Sequence, residues 1–274
     1  MKSILNVQNK MTKQQNSPKT ETYNPVPYPN KGNKSSDYEF TIIVPVFNEE
    51  DNIYALEKKL SKFVSQSALP ACVLFVNDCS TDQSKDRIIE VCSRQKHFYH
   101  LSLTKNSGLS TALKAGIDAT QSTYVGYIDA DLQTTPEDFN LLIPYIREYE
   151  LVMGIRVNRK DSFVKNASSR IANGFRRFMT KDGVSDTGCP LKIMRTDYAK
   201  RIPLFTGMHR FFPALIQLQN GKVLQIPVRH FERIAGKSKY NLRNRLVGPF
   251  IDCFAYRWMK KRYINYQIGD NNIE

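Results

Sequence analysis

Four short apolar runs, each followed by polar or acidic residues and then a helical pattern, constrain this chain more than any other feature. They are Phe40-Thr41-Ile42-Ile43-Val44-Pro45-Val46, Ala71 to Val76, Phe98 to Leu103 and Tyr124 to Ile128. Such short runs, rich in β-branched and aromatic residues, suit strands covered on both faces. Helical segments stand between them. One follows Asn48, read as its cap, with Glu49, Glu50 and Asp51 at the positive end of its dipole. Another follows the turn Asn77-Asp78-Cys79-Ser80-Thr81-Asp82, and a third runs from Leu109 through Ala119. A fourth opens at Thr135-Pro136 with Glu137 and Asp138 just inside. The alternation predicts an α/β fold, a mostly parallel central sheet with helices on both faces. Ligands bind such sheets beyond the carboxyl ends of the strands. Here those ends carry Asn48 and Glu49, Asp78, and Asp129 with Asp131.

The last pair is the sharpest chemical signal. If the strand continues through Asp129-Ala130-Asp131, the two carboxylates share one face and converge. Two carboxylates share a site cheaply only beside a cation, and Mg²⁺ or Mn²⁺ shared with substrate phosphates meets that need. A solvated acidic turn at a strand end is the alternative for an isolated Asp-x-Asp.

Charge divides the chain of 274 residues. Residues 1–150 hold 16 Lys and Arg against 18 Asp and Glu, whereas 151–274 hold 24 against 8, within a net charge of +14. A basic half suits nucleic acid, an anionic membrane or a phosphorylated substrate. No helix-turn-helix, zinc-finger or RNA-binding aromatic motif accompanies it, which argues against nucleic acid. Residues 1–39 are polar, with Pro25, Pro27 and Pro29 alternating, and read as a disordered leader. No apolar run approaches the ~18 residues of a membrane span, and no signal region opens the chain, so a cytoplasmic location is expected. The five cysteines have no metal-finger spacing and read as reduced structural thiols.

In the second half, Leu151–Ile155 reads as a strand ending at Arg156, and Ser162 to Met179 as a basic amphipathic helix. A turn at Asp186-Thr187-Gly188-Cys189-Pro190 leads into a strand at Leu191–Met194. Phe211 to Gln219 is helical and Val223–Val228 a strand. A final helical stretch, Leu242 to Tyr263, sets Leu242, Leu246, Phe250, Phe254 and Trp258 on one stripe. Gly248 and Pro249 suggest a bend between two shorter helices. The stripe is either a core face or an interfacial membrane helix, and Trp258 beside Lys260, Lys261 and Arg262 favours lipid headgroups at its end. Asp186 reads as a turn cap or a catalytic group, and His209 as a core histidine or a substrate contact.

Taken in order, Pro45-Val46-Phe47-Asn48-Glu49, the Asn77–Asp82 turn, Asn106-Ser107-Gly108, Asp129-Ala130-Asp131, Ser169-Arg170-Ile171-Ala172-Asn173, Asp186-Thr187-Gly188-Cys189, Met208-His209-Arg210-Phe211 and Gly236-Lys237-Ser238-Lys239-Tyr240 resemble inverting glycosyltransferase family 2. Within it they are similar to bacterial polyprenyl-phosphate glycosyltransferases related to dolichyl-phosphate mannosyltransferase. The resemblance covers about residues 40–262. It implies the GT-A (Rossmann-like) fold: a donor half at 40–150, an acceptor half at 151–240, and a basic amphipathic helix and tail at 241–274 that associates with membrane. It also implies transfer of a sugar from a UDP- or GDP-linked donor to polyprenyl (undecaprenyl) phosphate, for an envelope glycan or lipid A. A family 2 enzyme with a saccharide or protein-linked acceptor, and a non-catalytic GT-A binding protein, are the alternatives.

By position, the resemblance implies that Pro45, Phe47, Glu49, Asp78, Asn106, Asp129, Ala130, Asp131 and Gln133 line the nucleotide-sugar site, Asp129 and Asp131 holding Mg²⁺ or Mn²⁺. Asp131, Arg156, Lys165, Ser169 and Asp186 are the implied catalytic set. Arg156, Lys165, Ser169, His209, Arg210, Lys237 and Lys239 are the implied acceptor-phosphate or membrane face. Cys79 stands where relatives have glycine, so a different loop path is expected there. Phe47 replaces a commoner Tyr and keeps the stacking face. Lys165 replaces Arg and loses a two-pronged grip. Many relatives continue into transmembrane helices. This sequence does not, so the expectation is peripheral attachment to the cytoplasmic face of the inner membrane, through anionic lipid, a membrane-protein partner or a homo-oligomer.

Overall fold

The structure, a computed structural model, describes residues 37–157, 173–203, 205–231, 242–266 and 269–270, with the backbone alone for 242–247. Seven strands form one sheet: β1 (Phe40–Val46), β2 (Ala71–Asn77), β3 (Phe98–Ser102), β4 (Tyr124–Tyr127), β5 (Leu151–Arg156), β6 (Lys192–Arg195) and β7 (Val223–Val228). Their spatial order is β3-β2-β1-β4-β6-β5-β7. β6 runs antiparallel to both of its neighbours, and every other pairing is parallel. The mostly parallel α/β sheet expected from the sequence is therefore present, with strands from residues 40–150 and from 151–240 in it.

β1 is central because each of its faces is apolar. Phe40, Ile42, Val44 and Val46 join a buried cluster with Ile53, Leu56, Leu60 and Phe63 of α1 (Ile53–Gln66), Ile88 and Val91 of α2 (Ser84–Arg94), and Phe139. Phe139 meets Phe40 edge to face at 5.3 Å between ring centroids. On the other face Ile43 lies under α3 (Leu109–Ala119), where a Cβ on Gly116 would approach it to 2.9 Å. Side-chain contacts begin just ahead of β1. Tyr38 is buried, and its hydroxyl bonds His97 Nδ1 at 2.9 Å and the Tyr99 hydroxyl at 3.2 Å. Residues 1–36 lie outside the described residues.

Short helices α4 (Phe139–Leu142), α6 (Thr196–Lys200) and α7 (Phe212–Leu218) complete the layers with the helical stretch α5 (173–180) and α8 (Leu242–Arg262). α8 runs through Pro249 as one helix rather than the two expected. It buries Cys253 and Tyr256, whose hydroxyl donates to Ala214 O at 3.3 Å and whose ring stacks on Phe211. The stripe of Phe250, Phe254 and Trp258 faces outward, 49%, 52% and 62% exposed, so it is not a core face. No helix of the described residues is long and apolar enough to cross a membrane. The five cysteines are free, and four of them are buried.

Gly126 lets β4 fit between β1 and β6, since a Cβ there would come within 2.6 Å of Lys192 O and 2.9 Å of the Phe40 ring. Gly126→Ala is expected to lower stability by about 1–3 kcal/mol, the usual result of overpacking, read as a lower urea midpoint at unchanged slope.

Candidate active site

The loops after β1 and β2 are laced together. Asn48 takes a left-handed backbone (φ 52°), and its side-chain oxygen accepts from Thr81 N at 2.8 Å. Asn48 N donates to Ser80 Oγ at 3.0 Å and Glu49 N to Ser84 Oγ at 2.8 Å. Glu50 returns the link, its carboxylate accepting from Gln83 N at 2.9 Å. Asn48 therefore does not cap α1, which begins at Ile53 after a 3-10 turn; the amide of a facing loop outcompetes the local helix end. Pro45, Phe47 and Glu49 remain half-buried along this seam.

Asp78 is buried, and its two carboxylate oxygens accept from Ser107 N and Gly108 N, both at 2.8 Å. The Asn106 side chain donates to Asp78 O at 3.3 Å. The acid thus closes the amide-rich entry to α3, and Asn106 is brought beside it. Cys79 adopts φ 56°, a left-handed backbone that favours glycine, although it carries a Cβ. The left-handed conformation costs a non-glycine residue about 1–2 kcal/mol.

β4 ends at Tyr127, one residue earlier than expected. Asp129 and Asp131 lie in the turn beyond it, so strand alternation does not set their directions; the turn does. Leu132 adopts φ 59°, and Gln133 N donates to Asp131 Oδ1 at 3.1 Å. Ala130 and Asp131 are buried, Asp129 and Gln133 half-buried. The segment after β7 straps this turn: Phe231 N donates to Gln133 O at 2.9 Å. Arg229 clamps buried Asp138, donating through N and Nε at 2.8 Å each. This clamp was not foreseen, because Asp138 reads locally as a first-turn acid of a helix and its partner is 91 residues away.

Across the sheet, β5 ends at Arg156. Its Nε and Nη2 donate to the two oxygens of Asp186 at 2.8 Å each. Burial works against the Arg156 charge, and the Asp186 carboxylate more than offsets it, holding the guanidinium above its ordinary value. Asp186 therefore orients Arg156 rather than merely capping its own turn. A Cβ on Gly188 would meet Arg156 Nη2 at 2.9 Å, so the turn fits closely around the guanidinium. That turn is held from behind by α5, whose Arg176 pairs with buried Asp182 and donates to Val184 O at 2.6 Å.

His209 is partly buried, and its Nδ1 bonds Ser110 Oγ of α3 at 2.7 Å. Burial, then the Arg210 and Lys192 charges, push the imidazole down to about 3, so it is neutral near pH 7 and joins the Met208–Phe211 turn to α3. Arg210 lies toward Gly207 and Asp252 of α8. Lys165, Ser169, Lys237 and Lys239 lie outside the described residues. Lys192, fully buried on β6, was missed; nothing in the local sequence marks it out from a strand residue. No cluster of three or more His, Cys, Asp or Glu suited to a metal occurs among the described residues. Asp129 and Asp131 alone fit an ion that completes its shell with substrate phosphates rather than one caged by protein.

A mostly parallel sheet with one reversed strand, and acidic groups beyond its central strand ends, is the frame of this site. The model for "Glycosyl transferase family 2" matches residues 41–202, and the chain belongs to that family. Undecaprenyl-phosphate 4-deoxy-4-formamido-L-arabinose transferase of Pectobacterium carotovorum is 30% identical over 203 residues, 73% of this chain and 62% of the relative. Dodecaprenyl-phosphate galacturonate synthase of Rhizobium johnstonii is 30% identical over 210 residues, 74% of this chain and 62% of the relative. The chain thus spans about 62% of the length of these relatives. Among solved structures, glucosyl-3-phosphoglycerate synthase from Mycobacterium tuberculosis, in complex with Mn²⁺, UDP and glucosyl-3-phosphoglycerate, superposes with a TM-score of 0.62 at 15% identity, covering 82% of this chain and 81% of that one. The fold is GT-A.

Asp78→Ala would leave two amides at the entry to α3 without their acceptor. A loss of about 1–3 kcal/mol is expected, measured by urea denaturation, with Asp78→Asn retaining part of the difference.

Proposed function

We propose that the protein transfers a sugar from a UDP- or GDP-linked donor to the phosphate of a polyprenol, inverting the anomeric carbon. The observation that carries this reading is a pair of carboxylates beyond β4 and an oriented arginine at the end of β5, in a chain 30% identical to two kinds of polyprenyl-phosphate sugar transferase or synthase. The seam of Pro45, Phe47 and Glu49 takes the nucleobase, Asp78 and Asn106 shape its floor, and Ala130 and Gln133 flank the donor's sugar and phosphates. Asp129 and Asp131 would hold Mg²⁺ or Mn²⁺, which when bound offsets charge on the leaving diphosphate.

The acceptor phosphate is already anionic at neutral pH, so its oxygen needs no strong general base. That oxygen forms the new bond to the anomeric carbon as the bond to the donor's β-phosphate breaks, and the nucleoside diphosphate leaves. Catalysis then rests on positioning and on charge neutralisation. Arg156, oriented by Asp186, is the described cation that meets the acceptor phosphate, with Lys165 and Ser169 as further contacts. A phosphate acceptor fits a half so rich in Lys and Arg better than a neutral saccharide does, and the acid pair fits a transferase better than a non-catalytic scaffold.

A lipid acceptor also requires access to a membrane. Phe178 (69% exposed), Phe250, Phe254 and Trp258 form an outward aromatic face, with Phe175 stacked on Phe250 at 4.7 Å and Arg262 over the Trp258 ring. Lys260, Lys261 and Arg262 border it. Aromatic rings with flanking cations suit the headgroup region of anionic lipid, which supports peripheral attachment to a membrane; the face proposed is the cytoplasmic face of the inner membrane.

Incubation with labelled UDP- and GDP-sugars, including a uronic acid and a formamido-arabinose donor, with Mg²⁺ or Mn²⁺ and undecaprenyl phosphate, is expected to give organic-extractable label. Label from none of the donors would refute the reading. Chelation is expected to abolish transfer and added metal to restore it. Asp131→Asn is expected to lower kcat roughly 10²–10³-fold at unchanged stability. On vesicles containing anionic lipid, Phe250→Ser, Phe254→Ser and Trp258→Ser combined should weaken binding on the order of tenfold or more; unchanged co-sedimentation would remove the membrane face.

A further inference from the structure

Lys192 is 0% exposed, yet it carries an ammonium group. It sits on β6, the reversed strand, opposite Tyr127 of β4 and Met153 of β5. It therefore lies between the strand that leads to Asp129 and Asp131 and the strand that ends in Arg156. Its Nζ donates to the Tyr127 hydroxyl at 3.1 Å, to Thr187 O at 3.2 Å and to Cys189 O. Three acceptors match the three donors of an ammonium. The Tyr127 ring lies 5.0 Å from the nitrogen. Among the described residues no carboxylate forms an ion pair with it; the charges of Asp186 and Asp129 reach it only through space.

Burying an ammonium without a carboxylate costs several kcal/mol, and an apolar side chain of the same length would fill the space without that cost. The charge therefore needs another reason. Thr187 and Cys189 flank Gly188 in the turn that carries Asp186, and Asp186 holds the Arg156 guanidinium. We propose that Lys192 is a positioning residue for the acceptor side of the site, tying the 186–189 turn down to β4 so that Asp186 presents Arg156. Burial pulls its ammonium down to about 8, which leaves it charged at neutral pH and able to make all three bonds. The acceptor role of Arg156 rests on the function proposed above; the link from Lys192 through the turn to Arg156 does not.

The test is a double-mutant cycle of Lys192→Met and Asp186→Asn, read in two ways. The first is KM for undecaprenyl phosphate and for the nucleotide sugar. The second is hydrogen exchange at Arg156 Nε–H by ¹⁵N NMR, without any ligand. Lys192→Met is expected to raise the acceptor KM about tenfold, the worth of one hydrogen bond to a charged group, and to leave the donor KM within about twofold. Exchange at Arg156 should quicken by a similar factor. Asp186→Asn should do the same, and the double variant should be little worse than the more impaired single. Unchanged exchange and acceptor KM in Lys192→Met, a parallel rise in both KM values, or multiplying effects in the double variant would each overturn the proposal. Should Lys192→Met not fold, Tyr127→Phe removes one acceptor and keeps the ammonium. Quicker Arg156 exchange would then support the proposal, and unchanged exchange would overturn it. If the wild type transfers no sugar to polyprenyl phosphate, the functional reading fails and the exchange arm alone decides the role of Lys192.

Discussion

The reversal of one strand governs the geometry of the site. Every other strand of the sheet runs in one direction, so the carboxyl ends of β4 and β5 open on the same edge. β6 lies between them and runs the other way, and it contributes no carboxyl end to that edge. With strands spaced about 4.8 Å apart, the acid pair beyond β4 and the arginine of β5 are separated by about 10 Å at the level of the sheet. At that spacing the acids act on the arginine through space, while Asp186 takes the hydrogen bonds of its side chain. A direct β4–β5 pairing would bring them within ion-pairing reach.

The loops after β1 and β2 are organised by polar side chains that bind backbone. Asn48, Ser80, Ser84 and Glu50 cross-link two loops, and Asp78 fixes the entry to α3. These bonds form when the chain folds, so the loops lose their freedom then rather than in any later binding event. Ordering a loop on binding would subtract from affinity. Left-handed backbone at Asn48, Cys79 and Leu132 marks the same investment at three neighbouring strand ends. Strain of this kind persists where surrounding bonds over-determine the conformation, and here the surrounding bonds are the cross-links themselves.

Much of this was legible in the sequence, for a physical reason that also marks where legibility ended. Strands covered on both faces are continuous apolar runs, so β1, β2 and β4 stand out without knowledge of their partners. Asp129 and Asp131 are equally conspicuous, being separated by a single residue. Misreadings occurred where a distant partner outbid a local one. Asn48 looks like a helix cap until Thr81, 33 residues on, claims its oxygen. Asp138 looks like a helix-dipole acid until Arg229 arrives. The outward stripe of α8 was identified, but its buried face was not, because Cys253 and Tyr256 interrupt the pattern of neither a core helix nor a surface one. Lys192 is the extreme case: its role depends on a turn and a phenol brought together only by the strand order.

The neutral imidazole at the joint between α3 and the Met208–Phe211 turn carries a consequence for acid resistance. In the unfolded chain a histidine protonates near 6.5, whereas His209 in the fold does so only near 3. Between those values the unfolded chain binds a proton that the folded one refuses. Stability therefore falls by up to about 1.4 kcal/mol for each unit of acidification below 6.5. Acidification thus acts on the stability of the fold through the contact of α3 with that turn.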